Sequence, residues 1–207
     1  MRYSPEHKVD IHQKIVKDAS RRLRTAGLTG TAVSDVMRDL GLTHGGFYKH
    51  FGSKDELLLA SLSEAFKEIS DRMAKAGGES EPGTAWKAIV KAYLSPEHCD
   101  HPEHGCPLAA LAPELTRTGK AIKVQTLEDL SKYKNRMLPF MPGWRTADKE
   151  NAFFAISSTM IGAIEIARML PEPSMRKKVL ASATNFLLRS FEDRPTGQDQ
   201  AKSARHV

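Results

Sequence analysis

Residues 31–54 read TAVSDVMRDLGLTHGGFYKHFGSK. Apolar side chains stand at Val33, Val36, Met37 and Leu40, the three- and four-residue spacing of one helix face. Gly41-Leu42 interrupts that face, and Thr43 then offers an N-cap oxygen to a second short helix through Phe47, Tyr48 and Phe51. Two short helices joined by a tight glycine turn predict a helix-turn-helix, whose second helix enters the major groove of DNA by its N-terminal residues. Val33, Val36, Met37, Leu40, Leu42, Phe47 and Phe51 are expected to pack both helices onto a preceding one. That leaves His44, Gly45, Gly46, Tyr48, Lys49 and His50 facing outward.

Each outward residue has a use at a nucleic acid. Thr31 and Thr43 are expected to cap helices, with hydroxyls in reach of a phosphate or base edge. Gly45 and Gly46 cost about 1 kcal/mol each relative to alanine in a helix. A packing reason or a close backbone approach to DNA would justify them. Tyr48 can extend its hydroxyl to a phosphate, while Lys49 and His50 suit phosphates or guanine acceptors. Lys54 falls in the first turn of the next helix, where free backbone N–H groups already favour a phosphate. The competing reading is an ordinary helical hairpin in which Tyr48 and His50 are structural.

Outward from this stretch the pattern stays helical. Ser4-Pro5 suits a helix start, Ile15, Ala19 and Leu23 form an apolar stripe, and Gly27 is placed to end that first helix. Ser53-Lys54-Asp55-Glu56 matches a capping box and opens a long helix over about 53–75 through Leu57, Leu58, Leu62, Phe66, Ile69 and Met73. Ala76-Gly77-Gly78-Glu79-Ser80-Glu81-Pro82-Gly83 reads as a linker. Further helices are expected at about 84–95, 106–117, 120–140, 146–170 and 173–192, then a polar disordered tail over 194–207. No run alternates as a half-buried strand does, so the expected fold class is all-α.

Composition bounds the rest. The chain has 207 residues, 31 Lys+Arg against 25 Asp+Glu and a net charge of +6, a sign that favours an anionic partner. Ten basic residues against six acidic ones fall in 1–55, so most of the excess is N-terminal. The longest uncharged apolar run, 152–164, is shorter than the roughly 20 residues of a membrane span. The N-terminus has no apolar stretch of signal-peptide type, and two cysteines make no disulfide framework. The expectation is a cytoplasmic protein without a membrane partner or cofactor.

Residues 9–65 resemble the tetracycline-repressor (TetR) family of bacterial transcription regulators. The resemblance is carried by Ile15, Ala19, Leu23 and Gly27, then by Thr31, Val33, Asp35, Val36, Gly41, Leu42, Thr43, Gly45, Phe47, Tyr48, His50, Phe51, Ser53, Lys54, Asp55 and Leu57. Met37 stands where the family more often has alanine, and His44 and Gly46 occupy variable reading positions. The resemblance implies an N-terminal three-helix DNA-binding domain (1–55) and a helical ligand-binding and dimerisation domain (76–193). It also implies a homodimeric repressor on palindromic double-stranded operator DNA, released by a small-molecule inducer. Helices 146–170 and 173–192 are the expected dimer surface, through Ile156, Met160, Ala163, Ala167 and Leu170 and through Met175, Val179, Ala183, Phe186 and Leu187. Small residues there, Ser157 and Gly162, allow close helix approach. Trp86, Tyr93, Tyr133, Met137, Phe140, Met141, Trp144, Phe153 and Phe154 are candidate inducer-pocket residues, against the alternative of plain core packing.

One local oddity is His98-Cys99-Asp100-His101-Pro102-Glu103-His104-Gly105-Cys106-Pro107. Its residue types suit zinc, but the spacing matches no standard finger. Cys106 can start a helix, where the dipole lowers a thiol pKa, making it a candidate redox sensor and ligand-site residue. The segment Gly105-Cys106-Pro107-Leu108-Ala109-Ala110 also resembles one found in one branch of the family, some members of which sense electrophiles or oxidants through cysteine. A polar loop around a buried small residue is the third reading. The rival functional class is an enzyme with Cys106 as nucleophile and His104 or His98 as base, although no third orienting group is evident.

Overall fold

The computed structural model describes residues 5–191. Ten α-helices are present among them: α1 (Pro5–Gly30), α2 (Val33–Asp39), α3 (His44–Phe47), α4 (Lys54–Gly78), α5 (Ala85–Tyr93), α6 (Pro96–Asp100), α7 (Leu108–Leu115), α8 (Lys120–Met137), α9 (Thr146–Met169) and α10 (Pro173–Ser190). Single 3₁₀ turns cover Pro102–His104 and Leu138–Phe140, and no strand occurs among the described residues. The fold is all-α, with an N-terminal helix-turn-helix and a helical C-terminal domain. The expected tail at 194–207 lies outside the described residues.

The chain forms two compact units. One holds the residues up to Lys67 together with Pro102–Asp129; the other holds Glu68–His101 and the residues from Leu130 on. The core of the first is Ile15, Ala19, Val36, Met37, Phe47, Phe51 and Leu57, with Val33, Leu40 and Leu42 packed against it. These are the expected side chains, and Met37 is accommodated at 1% exposure. Gly27 breaks α1 with φ +78° and ψ 178°, and Gly41 makes the inter-helix turn at φ +66°.

The first unit also takes in a segment expected in the C-terminal domain. Arg24, buried on α1, donates from Nη1 to the Gly105 carbonyl at 3.0 Å and from Nε to the Ser20 carbonyl at 3.2 Å. Glu114 on α7 accepts from the Leu28 N–H at 2.8 Å. Ser63 on α4 donates to the buried carboxylate of Asp129 at 2.6 Å. Charged and backbone groups that would be costly to bury alone are thereby paired.

The expected linker begins later than its composition suggests, because Ala76, Gly77 and Gly78 continue α4. Gly77 serves close packing: a Cβ there would come within 3.1 Å of both Ile89 and Phe140. The short helix α6 was not expected. Ser95 caps it by accepting from the His98 N–H at 3.1 Å, and Pro96 occupies its first turn.

In the second unit α9 packs on α5, α6 and α10. Its length and composition would suffice to cross a membrane, yet Phe153, Ile156, Met160, Ile164 and Ala167 are buried within the chain. This corrects the expected dimer stripe: Ile156, Met160, Ala163 and Ala167 are core, as is Leu187 on α10. The same spacing serves a core and an interface equally, and the fold uses it for the core. The exposed face of α9 is instead Phe154, Ser158, Ile166 and Met169, and that of α10 is Met175, Ser182 and Phe186.

Candidate nucleic-acid interface

Thr43 caps α3 as its spacing predicts: the backbone is extended at φ −79°, ψ 149°, and the hydroxyl accepts from the Gly46 N–H at 3.2 Å. Phe47 is the buried residue of this four-residue helix and stacks on Phe51 at 5.4 Å. Anchoring one side chain inward turns the others out. Thr43, His44, Gly45, Tyr48 and Lys49 are exposed, and Gly46 is half-buried. A Cβ at Gly45 would meet nothing within 4 Å, whereas one at Gly46 would press on the Thr43 hydroxyl at 3.3 Å. Gly46 is therefore explained by its own cap, and Gly45 by no intramolecular contact.

The next helix start lies alongside. Ser53 accepts from the Glu56 N–H at 3.1 Å, and Glu56 reaches back to the Gly52 N–H at 2.6 Å. The reciprocal bond thus lands one residue before the position a standard capping box uses. Lys54 is exposed in this first turn.

Thr31 is a correction. It is 1% exposed, and its hydroxyl donates to the Gly27 carbonyl at 2.8 Å. The N-cap of α2 is Ala32, without a side-chain bond. The positive φ at Gly27 leaves a carbonyl that Thr31 satisfies, so Thr31 shapes the end of α1 and its side chain does not face outward.

His50 is half-buried, and its Nδ1 is shut off from solvent without a hydrogen-bond partner. Burial, followed by His12, Lys8 and Lys49, pushes its pKa below the ordinary imidazole value. His12, on α1, was not anticipated as a neighbour; nothing in its spacing marks it. Two arginines of this unit are engaged internally. Arg22 pairs with Asp39 and so ties α2 to α1, and Arg38 pairs with Asp35 at 2.8 Å.

The candidate inducer-pocket residues divide. Trp86, Tyr93, Tyr133, Met137, Met141 and Phe153 are buried, packed in edge-on aromatic pairs such as Tyr133–Phe153 at 5.7 Å and Trp86–Phe191 at 6.0 Å. Phe140 is half-buried. Trp144 and Phe154 are 46% and 50% exposed and line no interior space. A surface cleft of about 70 Å³ is bordered by Pro96, Cys99, Asp100, Pro173, Arg176, Lys177 and Leu180. None of the expected residues borders it, and it is far smaller than the few hundred Å³ of a drug-sized site.

The histidine-cysteine segment is also dispersed. His98 is buried, its Nδ1 lies 2.6 Å from the Tyr93 carbonyl, and its ring meets Tyr93 edge-on. Arg168 donates to the His98 and Cys99 carbonyls at 2.8 and 3.1 Å. Burial pushes the Cys99 thiol up, away from thiolate character. Cys106 is buried, outside any disulfide, in the first unit just ahead of α7. Among the described residues no three His, Cys, Asp or Glu side chains converge to hold a metal. His98 and Cys106 fall in different units.

Comparison with known proteins agrees with this geometry. Residues 15–61 match the bacterial regulatory proteins of the tetR family. The chain is 24% identical over 116 residues to the HTH-type transcriptional regulator LmrA of Bacillus subtilis, a match spanning 55% of this chain and 62% of LmrA. It is 25% identical over 187 residues to an HTH-type regulator in the lacX 3′ region of Lactococcus lactis, spanning 87% and 92% of the two chains. The fold is that of a TetR transcriptional regulator from Chloroflexus aurantiacus, with a TM-score of 0.73, 22% identity and coverage of 91% and 98%. It is also that of the reduced form of E. coli NemR, with a TM-score of 0.67, 15% identity and coverage of 86% and 95%. The chain thus carries a DNA-binding domain of the bacterial tetR regulatory type over residues 15–61, with the fold of TetR regulators behind it.

Proposed function

We propose that this protein is a cytoplasmic, DNA-binding transcriptional regulator, acting as a homodimeric repressor on palindromic operator DNA. The observation that carries the reading is α3 itself: one buried anchor, Phe47, and a capped first turn that turns His44, Gly45, Tyr48 and Lys49 outward. Thr43, His50 and Lys54 complete the proposed DNA contacts. The exposed apolar faces of α9 and α10, with Met169 at 80% and Phe186 at 61%, support a dimer. Two reading helices spaced by one turn of DNA then match a two-fold site. A small molecule, or modification of Cys106, that prefers another spacing lowers DNA affinity by linkage.

Footprinting on the promoter of its own gene tests the reading, with a protected palindrome as the expected result. No protected palindrome there, at any protein concentration that leaves the duplex soluble, sinks the repressor proposal. Two variants sharpen it. Lys54→Gln is expected to reduce the slope of log affinity against log salt by about one unit, the share of one phosphate contact. An unchanged slope places Lys54 away from DNA. Gly45→Ala is expected to leave the thermal midpoint level or slightly raised, since alanine gains up to about 1 kcal/mol of helix propensity in open space. It should nevertheless weaken operator binding about tenfold, because a methyl group would intrude where backbone meets DNA. Full affinity in this variant removes the close-approach argument.

A further inference from the structure

His12 lies outside the helix-turn-helix, yet it is brought beside it. Its ring centroid is 6.2 Å from that of His50, and it stacks on Phe51 at 4.5 Å. Phe51 is buried and stacked on Phe47, so one imidazole rests on a fixed aromatic wall and the other immediately precedes it in sequence. Both histidines are half-buried. The groups acting on His50 are Lys8 and His12 from α1 and Lys49 from its own turn, all cationic or able to become so. From the first turn of α4 come the exposed Asp55 and Glu56, and the Glu56 carboxylate is held by the Gly52 N–H. No carboxylate stands three or four residues from His12 on α1, where Lys8, Val9, Ile15 and Val16 occupy those positions.

A proton on the His50 ring is opposed by burial and by its cationic neighbours, because like charges at this range repel. The Nδ1 of His50 is closed to solvent without a partner, which leaves Nε2 as the ring nitrogen an anion could meet. An anion seated there would reverse the electrostatic balance. We infer that His12 and His50 together seat one phosphodiester group of the DNA backbone and that His50 takes up a proton as this happens, so that DNA binding strengthens as pH falls.

The inference rests on the DNA-binding reading and adds to it a contact from α1 and a pH dependence. Its sign follows from linkage. Burial and neighbouring cations lower the His50 pKa in the free protein, and the phosphate favours its charged form. Affinity therefore climbs as pH drops through the higher pKa of the complex. It levels off below the lower pKa of the free protein.

The test uses the full chain and a labelled duplex of about 30 base pairs of mixed sequence at low salt, since phosphate contacts do not depend on sequence. Anisotropy is read from about pH 8 to about pH 5.5, across the imidazole range. Affinity should rise by up to about tenfold per pH unit for each proton taken up. His50→Gln should lose most of that slope and His12→Gln part of it, while His101→Gln, at an exposed histidine of the other unit, retains it. Calorimetric titration of the unsubstituted protein in two buffers of different ionisation enthalpy should show net proton uptake, which needs no variant to fold. A slope surviving in the His12→Gln/His50→Gln double variant, a slope lost in His101→Gln, or zero proton uptake each overturns the inference. Failure of the unsubstituted protein to bind duplex at any pH overturns the DNA-binding reading together with it.

Discussion

Phe47→Ala is expected to abolish DNA binding and lower the first thermal transition by roughly 10–25 °C, the equivalent of about 3–5 kcal/mol in a unit of this size. Helix α3 has four residues, too few to persist without tertiary anchoring, and Phe47 is its buried residue. The ring is 2% exposed, stacked on Phe51 and packed in the cluster that includes Ile15, Val36 and Met37. Truncation opens a cavity at the point where α2, α3 and α1 meet. Domains of this kind have only about 5–15 kcal/mol in hand, so the loss consumes much of the stability. Tyr48→Ala is the control: the neighbouring ring is 66% exposed, and its removal should change the melt little. Circular-dichroism melts of the two variants decide the matter, and equal midpoints would show that Phe47 does not anchor the reading helix.

How far this arrangement was legible depends on how local its causes are. The anchor at Phe47, the cap at Thr43 and the turn at Gly41 follow from spacing and backbone preference within a few residues, and they stand where the sequence placed them. Thr31 was misplaced because its partner is the Gly27 carbonyl, exposed only once α1 breaks with an unusual dihedral. Gly77 and Gly78 look like linker in composition, yet long-range packing against Ile89 and Phe140 keeps Gly77 helical. The stripe on α9 could serve core or interface; only the packing of α5, α6 and α10 against it shows that Ile156, Met160 and Ala163 face inward. His12 beside His50 carries no sequence signal at all, since the two are 38 residues apart and are joined only by docking of α3 on α1.

The segment 102–115 illustrates how non-local bonds reach the reader. Arg24 holds the Gly105 carbonyl and Glu114 holds the Leu28 N–H, both at the C-terminal end of α1. Cys106 follows Gly105 directly, so a modification there would act one residue from the Arg24 bond. That adjacency gives the proposed thiol route a physical path: swelling or charging a buried side chain displaces the carbonyl that Arg24 grips.

Gly27→Ala tests this junction with the second large effect. At φ +78° and ψ 178° the residue lies in a region that is essentially restricted to glycine, and alanine there costs of order 1–3 kcal/mol. The new Cβ would also come within 2.5 Å of one Glu114 carboxylate oxygen and 3.0 Å of the other. Glu114 can swing away, but only by releasing the Leu28 N–H, a charge-assisted bond of about 1.5–3 kcal/mol. The variant should therefore lose about 3–5 kcal/mol of stability in denaturant melts. Glu114→Ala alone should lose the bond only. Because both single variants lose the same bond, the double variant should be more stable than the sum of the two losses by about 1.5–3 kcal/mol. Strict additivity would mean that Glu114 does not meet residue 27. A double variant as stable as Glu114→Ala alone would mean that the dihedral at Gly27 carries no cost. The predicted shortfall separates the backbone contribution, which belongs to α1, from the side-chain contribution, which belongs to the grip of α7 on the reader.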